Sequence, residues 1–484
     1  MKLLFVTSEA YPLMKTGGLG DVAYGLPLAL HEQGVDVRML LPGYRDLLVR
    51  LESARMLGWL ELWGAGRLHT VRILEARQTD YPFPLWIVDC PALFDRPGNP
   101  YLGPDGLDWP DNGERFTVFA RAAAALATDV FGQGWRAGAV HLNDWQAGLV
   151  APLLEDAAQR PKRIFTIHNL AYGGHFPRHL YYLLGLPGEW WHPEGVEFYG
   201  GFSMLKAGVV YSDIITTVSP TYAREICTPA FGYGMENLLQ SRQYKLFGIL
   251  NGIDTGTWSP ALDRYLPAHY SSSQIEPGKQ ANKRALLEHF GLKPDQALLE
   301  QPLLGAVGRL VEQKGIDMVL AAIPFLLEYT QARFVLVGSG QHNFEHAIRE
   351  LAQRYPGRVL GFIGYDERLA HLLEAGSDLF LMPSRFEPCG LNQMFSLNYG
   401  TLPVVYHTGG LADTVVNATT ENVRAGTANG FVFYSPDTQA LQGTLLWALQ
   451  LYENNPLWRQ LQLNGMQHDF SWKQSAHRYL ELYQ

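Results

Sequence analysis

Two glycine-containing segments of similar sequence lie near the two ends of the chain. Residues 16–21 read T-G-G-L-G-D and residues 408–413 read T-G-G-L-A-D. Each follows a short apolar run and precedes a segment of helical pattern, which is how an open α/β domain presents backbone N–H groups to an anion. Lys15 adds a cation directly before the first segment. Glycine pairs are also common in plain turns, but the recurrence of Asp21 and Asp413 at the same offset favours two similar domains that share a phosphate-bearing ligand.

Two basic residues, Arg309 and Lys314, follow a predicted strand and are suited to a diphosphate. Arginine supplies a planar fork of donors and lysine a point charge. Beside a helix N-terminus, the two cations can stabilise a leaving diphosphate without a metal ion. The alternative is surface ion pairing with Glu312 or Asp317. The chain contains no Asp-x-Asp pair, through which many metal-dependent sugar-nucleotide enzymes hold a divalent cation.

Polar residues also end two other predicted strands. His141, Asn143 and Asp144 end one of them, and His168 ends the next. A neutral imidazole beside carboxylate and amide groups is good at reading sugar hydroxyls. Capping of a helix by Asn143 or Asp144 is the alternative role.

The segment 383–391, P-S-R-F-E-P-C-G-L, follows a further predicted strand. Glu387 in this segment can bind sugar hydroxyls or stabilise a cationic sugar carbon, and the alternative is a carboxylate placed favourably at a helix start. Cys389 is interpreted as a small buried residue rather than a nucleophile. Tyr365, after another strand, is a candidate for stacking on a base, against the alternative of a solvated loop residue.

The elements that position these residues alternate between strands and helices, which predicts an α/β fold of two doubly wound domains. The strands predicted in the first half are 3–7, 35–41, 86–88, 139–142, 163–167 and 214–218, with a helix over 21–33. A second cycle is predicted to begin near residue 247. We therefore expect a first domain at 1–245, a second at 246–455, and a helical segment 456–484 that returns to the first domain.

Composition limits the classes of partner and compartment. The chain has 484 residues and a formal net charge of −9, which argues against nucleic acid or an anionic membrane as the main partner. The three cysteines have no spacing typical of a metal site or a disulfide framework. No segment has the pattern of a signal peptide or a membrane span, so a cytoplasmic location is expected.

Taken together, these motifs resemble the bacterial glycogen synthase and plant starch synthase family. The matching segments are 15–22, 95–98, 143–145, 167–172, 217–223, 251–254, 308–309 with 313–315, 383–391 and 408–415. They occur in the family's order over nearly the whole chain, and the pair K-T-G-G-L-G-D-V and E-P-C-G-L is highly specific. The resemblance implies the GT-B fold, in which two Rossmann-like domains face each other across a cleft. It also implies transfer of glucose from ADP-glucose to the non-reducing end of an α-1,4-glucan, such as glycogen or a maltooligosaccharide, with retention of configuration and no metal or organic cofactor.

Carried over residue by residue, the resemblance assigns the catalytic roles to Glu387, His168, Arg309, Lys314 and Asp144. The substrate-binding residues that it implies are Lys15, Gly17, Gly18, Asp21, Asn251, Tyr365, Cys389, Gly390, Leu391, Thr408, Gly409 and Gly410. The sequence departs from the family's usual pattern at Phe395 and Asn398, where a tyrosine and a basic residue are common.

Three alternatives stay open at this stage. One is a retaining transferase that uses UDP-glucose or a small acceptor. Another is a glucan-binding protein without activity, although the presence of Glu387, Arg309 and Lys314 argues against it. A phosphorylase with a pyridoxal cofactor shares the two-domain plan, but no motif of the chain supports it.

Overall fold

The first apolar run of the chain forms the central strand of a large parallel sheet. In the computed structural model, which describes all 484 residues, the chain forms two units: a first unit of residues 1–252 with 472–484, and a second unit of residues 253–471. The strands of the first unit are β1 Lys2–Val6, β2 Asp36–Pro42, β3 Ser53–Trp63, β4 Leu68–Gln78, β5 Tyr81–Asp89, β6 Ala139–Asn143, β7 Lys162–Ile167, β8 His175–Pro177, β9 Glu197–Phe198, β10 Gly201–Ser203, β11 Ile214–Thr217 and β12 Leu246–Gly248. Its helices before residue 252 are α1 Gly18–Glu32, α2 Arg45–Arg50, α3 Pro91–Phe94, α4 Asn112–Ala127, α5 Asp144–Ala147, α6 Val150–Leu153, α7 Arg178–Leu183, α8 Met204–Tyr211, α9 Pro220–Glu225 and α10 Glu236–Gln240.

Nine of these strands form one sheet, in the order β12-β11-β7-β6-β1-β2-β5-β4-β3. The pairs from β12 to β5 are parallel, whereas β4 is antiparallel to both β5 and β3. The chain builds outward from β1 to β2 and β5, and then returns to β6 on the other side of β1. Ligands of such sheets bind at the carboxyl ends of the strands where the order reverses, so the ends of β1 and β6 are the expected place for a site.

The antiparallel hairpin β3–β4 was not predicted from the sequence. Strand β4 alternates exposed and buried residues over its first half, for example exposed Thr70 followed by buried Val71. In β3 only Leu60 is buried. One face of the hairpin is therefore solvated, and its residues lack the continuous apolar run by which the buried parallel strands were recognised.

The second unit contains a six-stranded parallel sheet in the order β15-β14-β13-β16-β17-β18. Its strands are β13 Leu303–Leu310, β14 Arg333–Gly340, β15 Val359–Ile363, β16 Leu379–Met382, β17 Leu402–Tyr406 and β18 Phe431–Phe433. Its helices are α11 Ile275–His289, α12 Gln296–Leu299, α13 Ile316–Tyr329, α14 His342–Arg354, α15 Glu367–Gly376, α16 Asn392–Asn398, α17 Gly409–Thr414, α18 Thr420–Ala425, α19 Thr438–Tyr452 and α20 Asn455–Met466. Two large apolar clusters, one of them between the sheet and α13 and α19, and a smaller one around Tyr270 and Tyr399 form its core.

The limits of the two units differ from the predicted domain limits in two places. The run near residue 247 was predicted to open the second domain, but it forms β12, which pairs in parallel with β11 of the first sheet. The predicted returning segment 456–484 is divided: Gln462 of α20 donates a 2.8 Å hydrogen bond to the Gly400 carbonyl oxygen inside the second unit. Short apolar edge strands carry no sequence signal that tells which sheet they extend.

The final helix, α21 Trp472–Tyr483, belongs to the first unit. The Trp472 indole lies so close to Gly25 of α1 that a methyl group at that position would meet it at 1.8 Å. At the other end of α21, the Tyr483 hydroxyl is 2.6 Å from Nδ1 of buried His141 in β6. The C-terminal helix is thereby fixed directly on the central strands. None of the helices combines the length and apolar character needed to cross a membrane.

Candidate functional site

In the second unit, the loop that follows β16 is docked onto the turn that follows β13. The turn, a 3₁₀ helix over Glu312–Lys314, receives a 2.9 Å hydrogen bond from the Arg385 N–H at the Gln313 carbonyl oxygen. Gln313 returns a 2.7 Å hydrogen bond from Nε2 to the Phe386 carbonyl oxygen. Gly315 ends the turn with φ 69°, and a Cβ there would lie 2.2 Å from the Pro383 carbonyl oxygen. The glycine is therefore required both for its left-handed backbone and for this close approach.

Lys314 and Glu387 meet at this contact. The Lys314 ammonium lies 2.6 Å from Glu387 Oε2, and the Ser384 hydroxyl donates to the same oxygen at 2.9 Å. Glu387 is 8% exposed, and its Oε1 makes no hydrogen bond. The side chain is thus held by one oxygen while the other is free to receive a hydroxyl group.

The helix-start alternative for Glu387 is wrong, because α16 begins only at Asn392. Glu387 lies in the preceding loop and gains no first-turn position. Its carboxylate is instead stabilised by the neighbouring cation and hydroxyl.

Arg309 lies near the end of β13, and its exposed side chain makes no hydrogen bond or ion pair. The predicted alternative was pairing of the two cations with Glu312 or Asp317. Asp317 is occupied by a bidentate contact from Arg385, with both N–O distances at 2.7 Å. Arg309 therefore remains an unneutralised guanidinium at the carboxyl edge of the sheet, where an anion can bind.

The second glycine loop, Thr408-Gly409-Gly410, packs against the loop that carries Glu387. The Gly410 N–H donates to the carbonyl oxygens of Glu387 and Pro388 at 3.2 and 3.1 Å. A Cβ at Gly409 or Gly410 would lie 1.9 Å from the Glu387 carbonyl oxygen or 2.1 Å from that of Cys389. The expectation of bare N–H groups at this loop is thus wrong for Gly410, and the glycine pair serves close backbone packing that fixes Glu387.

Three other predicted residues surround this packing. Cys389 is buried, as expected for a small packing residue. Gly390 has φ 70° and is followed by Leu391, after which α16 begins. Thr408, at 1% exposure, precedes the glycine pair.

Tyr365 follows β15, which is separated from β13 by one strand. Its side chain is 80% exposed, and the following Asp366 caps α15 by accepting a 2.8 Å hydrogen bond from the Leu369 N–H.

Between Tyr365 and Arg309 in strand order lies the end of β14, Gly338-Ser339-Gly340. A Cβ at Gly338 would lie 2.0 Å from the Gly308 carbonyl oxygen. This glycine pair was not predicted from the sequence, although glycines at the end of a buried strand are the signal that could have identified it.

In the first unit, Asp144 and His168 are joined at the ends of β6 and β7. The His168 N–H donates a 2.7 Å hydrogen bond to Asp144 Oδ1, and the His168 ring nitrogen Nε2 lies 2.9 Å from Asn143 Oδ1. Asn143 Nδ2 donates to the Val6 carbonyl oxygen at 3.0 Å, so its Oδ1 is an acceptor. His168 Nε2 therefore carries the proton, and Nδ1 is left as an acceptor.

These contacts argue against helix capping, which was the alternative role of Asn143 and Asp144. Asn143 does not cap α5 with its side chain. Burial lowers the pKa of His168 to about 3, which keeps the ring neutral. Burial raises the pKa of Asp144 to about 7, against hydrogen bonds from the His168 and Asn169 backbone that lower it. A neutral imidazole beside a carboxyl group whose pKa is raised to about 7 offers both donors and acceptors to sugar hydroxyls.

In the first glycine loop, residues 15–18, two backbone N–H groups are bound by a carboxylate of the chain itself. Glu9 accepts hydrogen bonds from the Thr16 N–H at 2.6 Å and the Gly17 N–H at 3.1 Å. Only the N–H groups of Gly18 and Leu19, in the first turn of α1, remain without a partner there. The expectation of a bare loop is thus wrong at Thr16 and Gly17. Glu9 was not predicted from the sequence; its signal is a charged residue three positions after the end of a buried strand.

Lys15 and Asp21 pair with each other, with 2.7 Å between Nζ and Oδ1. Burial raises the pKa of Asp21, while the charge and hydrogen bond of Lys15 lower it. Lys15 remains 42% exposed, so its ammonium can still reach a ligand. Asn251, the remaining predicted residue, is 9% exposed and follows β12 near the end of the first unit.

The two departures from the family's pattern have a structural role. The Phe395 ring stacks on Trp258 with 3.9 Å between ring centroids, and His371 stacks on the opposite face at 3.7 Å. Asn398 Nδ2 donates a 2.6 Å hydrogen bond to the Trp258 carbonyl oxygen. Both residues therefore hold the segment that carries Trp258.

The two units offer different groups to a ligand. The second unit offers Arg309, Lys314 and an oriented carboxylate at the carboxyl edge of its sheet. The first unit offers Lys15, Asp144 and a neutral His168. The structure holds no cluster of three or more histidine, cysteine or acidic side chains with the arrangement of a metal site.

Family comparisons agree with this arrangement. Residues 2–241 match the starch synthase catalytic domain family, and residues 292–462 match the glycosyl transferases group 1 family. The chain is 52% identical over 487 residues to a glycogen synthase of Hydrogenovibrio crunogenus, covering 100% of this chain and 99% of that protein. It is 48% identical to glycogen synthase 2 of Nitrosococcus oceani, covering 100% and 97%.

Two solved structures are similar to this chain in fold. The catalytic domain of starch synthase IV from Arabidopsis thaliana, bound to ADP and acarbose, matches with a TM-score of 0.87 at 33% identity, covering 99% of this chain and 98% of that chain. A sucrose-phosphate synthase from Thermosynechococcus elongatus shares the fold, with a TM-score of 0.58 at 16% identity. The likeness confirms the predicted α/β fold with two Rossmann-like domains of the GT-B type. The chain therefore belongs to the glycogen and starch synthase family and is a glycosyltransferase that transfers glucosyl units in glycogen or starch synthesis.

Proposed function

We propose that this enzyme transfers glucose from ADP-glucose to the 4-hydroxyl group at the non-reducing end of an α-1,4-glucan, with retention of configuration and release of ADP. The observation that carries the proposal is the pairing of Lys314 with Glu387 in the turn that follows the strand end with Arg309, whose guanidinium makes no ion pair. This arrangement offers two cations to a diphosphate and an oriented carboxylate to a sugar. The starch synthase IV domain was solved with ADP and acarbose, a nucleotide and an oligosaccharide of the matching classes.

The second unit binds the donor in this proposal. Arg309 and Lys314 neutralise the diphosphate, whose charge increases as the bond to the sugar breaks, and preorganised cations stabilise that charge most in the transition state. The exposed ring of Tyr365 stacks on the adenine. The segments Cys389–Gly390–Leu391 and Thr408–Gly409–Gly410 line the place of the sugar and phosphate.

The first unit binds glucose and the acceptor. Nδ1 of His168 accepts from one sugar hydroxyl, and the Asp144 carboxyl group binds another. Lys15, Gly18, Asp21 and Asn251 complete the substrate contacts. Neither binding set needs a metal or organic cofactor.

Retention follows if the acceptor attacks from the face that the leaving group occupies. The bond between the anomeric carbon and the phosphate oxygen breaks, and the acceptor oxygen forms a bond to the same face of that carbon. The departing phosphate oxygen takes the acceptor's proton, so no side-chain base is needed. Glu387, held at Oε2 by Lys314 at 2.6 Å, acts in this proposal as an electrostatic and positioning group for the sugar and not as a covalent nucleophile.

The test is ADP release from ADP-glucose, measured with and without glycogen. We expect release that depends on glycogen, and much slower release of UDP from UDP-glucose. Equal rates with the two donors would contradict the ADP-glucose assignment. Release without any dependence on a glucan would contradict the acceptor assignment.

A further inference from the structure

Glu9 is a buried carboxylate at the carboxyl end of β1, beside the point where the strand order of the first sheet reverses. It is 3% exposed and has no cation as a partner. Its charge is held by four hydrogen bonds from neutral donors. A carboxylate buried in this way is costly unless its acceptor positions are filled.

The two oxygens of Glu9 have different partners. Oε2 accepts from the backbone N–H groups of Thr16 and Gly17 at 2.6 and 3.1 Å. Oε1 accepts from the Thr16 hydroxyl at 2.6 Å and the Tyr101 hydroxyl at 2.8 Å. Three of the four donors thus belong to the first glycine loop, and the fourth ties the carboxylate to the segment around Tyr101, whose hydroxyl also lies 2.7 Å from Ser8 Oγ.

This contact fixes the residues on both sides of the loop. Lys15 precedes Thr16 directly, and its Cγ lies 3.0 Å from where a Cβ on Gly20 would stand, so the lysine stem is packed against the first turn of α1. The Gly18 N–H begins that turn. The direction in which Lys15 and the helix start face a ligand therefore depends on how residues 16 and 17 are held.

We propose that Glu9 is a positioning residue for glucosyl transfer: it holds the first glycine loop, residues 15–18, in the conformation that presents Lys15 and the start of α1 to the sugar substrate. It acts through hydrogen-bond geometry and not through its negative charge. The proposal rests on the proposed function for its kinetic test, and it adds a residue that the substrate contacts do not include.

Two substitutions separate geometry from charge. In Glu9→Gln, the amide oxygen can accept from the Thr16 and Gly17 N–H groups, and the amide nitrogen can donate to the Thr16 and Tyr101 hydroxyls, which rotate to accept. All four contacts survive while the charge is lost. In Glu9→Ala, both backbone donors lose their partner.

The kinetic experiment measures kcat and KM for ADP-glucose and for glycogen in both variants. We expect kcat/KM to fall by about tenfold to hundredfold in Glu9→Ala, which is the range caused by misplacing a binding element by about 1 Å. We expect Glu9→Gln to stay within about threefold of the wild type, because the geometry is kept. Equal losses in both variants would overturn the proposal in favour of a role for the charge, and near-normal Glu9→Ala would overturn it outright.

Glu114 supplies a matched control. It is a buried carboxylate of the same unit, 5% exposed, which accepts from the Ala65 N–H at 3.0 Å and from the side chains of Arg67 and His69 at 2.8–2.9 Å. Glu114→Ala should lower the melting temperature and leave kcat and KM unchanged below it. An equal kinetic loss in Glu114→Ala would show that Glu9 acts only through general stability, against the proposal.

Amide hydrogen exchange of a peptide that covers residues 12–20 gives a readout independent of activity. We expect exchange to be slow in the wild type and in Glu9→Gln, and faster in Glu9→Ala. Unchanged exchange in Glu9→Ala would overturn the proposal even if activity fell. If the wild type itself transferred no glucose, the proposed function would fail, and the exchange result alone would still decide whether Glu9 holds the loop.

Discussion

Replacing Lys314 with alanine tests whether the ion pair with Glu387 serves catalysis. The substitution removes an ammonium 2.6 Å from Glu387 Oε2 and leaves that carboxylate with the Ser384 hydroxyl alone. It also removes one of the two cations assigned to the diphosphate. Both activity and stability should therefore fall, by amounts that have different origins.

The expected loss of activity follows from transition-state charge. Removing one preorganised donor to a developing negative charge lowers kcat by about 10²–10³, or about 2.7–4 kcal/mol. The expected loss of stability is smaller. Leaving a buried acceptor without its charged partner costs about 1–3 kcal/mol, since the Lys314 side chain is 28% exposed and water can replace part of the contact. For a unit of this size, that corresponds to a fall in melting temperature of between about 2 and 12 °C.

The assay measures kcat from ADP release at saturating substrates, well below the melting temperature, with a melting curve for each variant. Lys283→Ala is the matched control, because Lys283 pairs with Asp378 at 2.7 Å in the same unit and is more deeply buried, at 4% side-chain exposure. Asp378 also accepts from the N–H at the start of β13, Leu303, at 2.8 Å, so this pair lies at the amino edge of the sheet. Lys283→Ala should melt earlier and keep its kcat.

Two results would refute the reasoning. One is a kcat for Lys314→Ala within about threefold of the wild type, far below the expected effect of losing a preorganised donor. The other is an equal loss of kcat in Lys283→Ala, which would attribute the effect to stability. In the double variant with Glu387→Ala, the two losses should be clearly non-additive, because both residues act through one contact.

Three further predictions follow from close contacts and buried charges. Gly409→Ala should lower kcat by about 10²-fold, because a Cβ would lie 1.9 Å from the Glu387 carbonyl oxygen. Gly443→Ala is the control, because a Cβ there would meet open space, and it should be neutral or stabilising. Equal losses of kcat in the two variants would contradict the role of Gly409 in fixing Glu387. Burial raises the pKa of Glu374 from 4.5 to about 8, so its contribution to the free energy of unfolding is lost as pH rises from about 4.5 to 8, at about 1.4 kcal/mol per pKa unit. In urea unfolding, Glu374→Gln should therefore gain stability over the wild type by an amount that grows across this pH range. A stability difference that does not change with pH would contradict this prediction. Burial likewise raises the pKa of Asp144 from 3.8 to about 7, so the stability that this group contributes falls as pH rises from about 4 to 7. Asp144→Asn should make the free energy of unfolding less dependent on pH in this range, and it should lower kcat. An unchanged pH dependence of stability would contradict the raised pKa of Asp144.

Buried parallel strands leave a strong signal in the sequence, so the strands that carry the candidate site residues could be predicted. Continuous apolar runs identified β1, β6 and β7, and the polar residues after them were expected to meet at the carboxyl edge of the sheet. The contact of Asp144 with His168 agrees with that expectation. The pairing of Lys314 with Glu387 was not predicted, because it depends on two loops separated by 73 residues.

The remaining differences come from contacts that leave little trace in one sequence. Whether a glycine loop offers its N–H groups to a ligand depends on what the rest of the chain places there, as Glu9 does for the first loop and the Glu387 carbonyl oxygen for the second. The short strand β12 carries too few residues to show which sheet it extends. The hairpin β3–β4 has one solvated face, so it lacks the apolar run that marks a buried strand.

The central claim is the transfer of glucose from ADP-glucose to the non-reducing end of an α-1,4-glucan. The most direct measurement uses ADP-glucose labelled in the sugar and maltohexaose as acceptor, followed by digestion of the product with β-amylase, which removes maltose from non-reducing ends of α-1,4-chains. We expect a labelled heptasaccharide whose label is released entirely as maltose. Label that β-amylase cannot release, or label that remains in free glucose or on another acceptor, would contradict it.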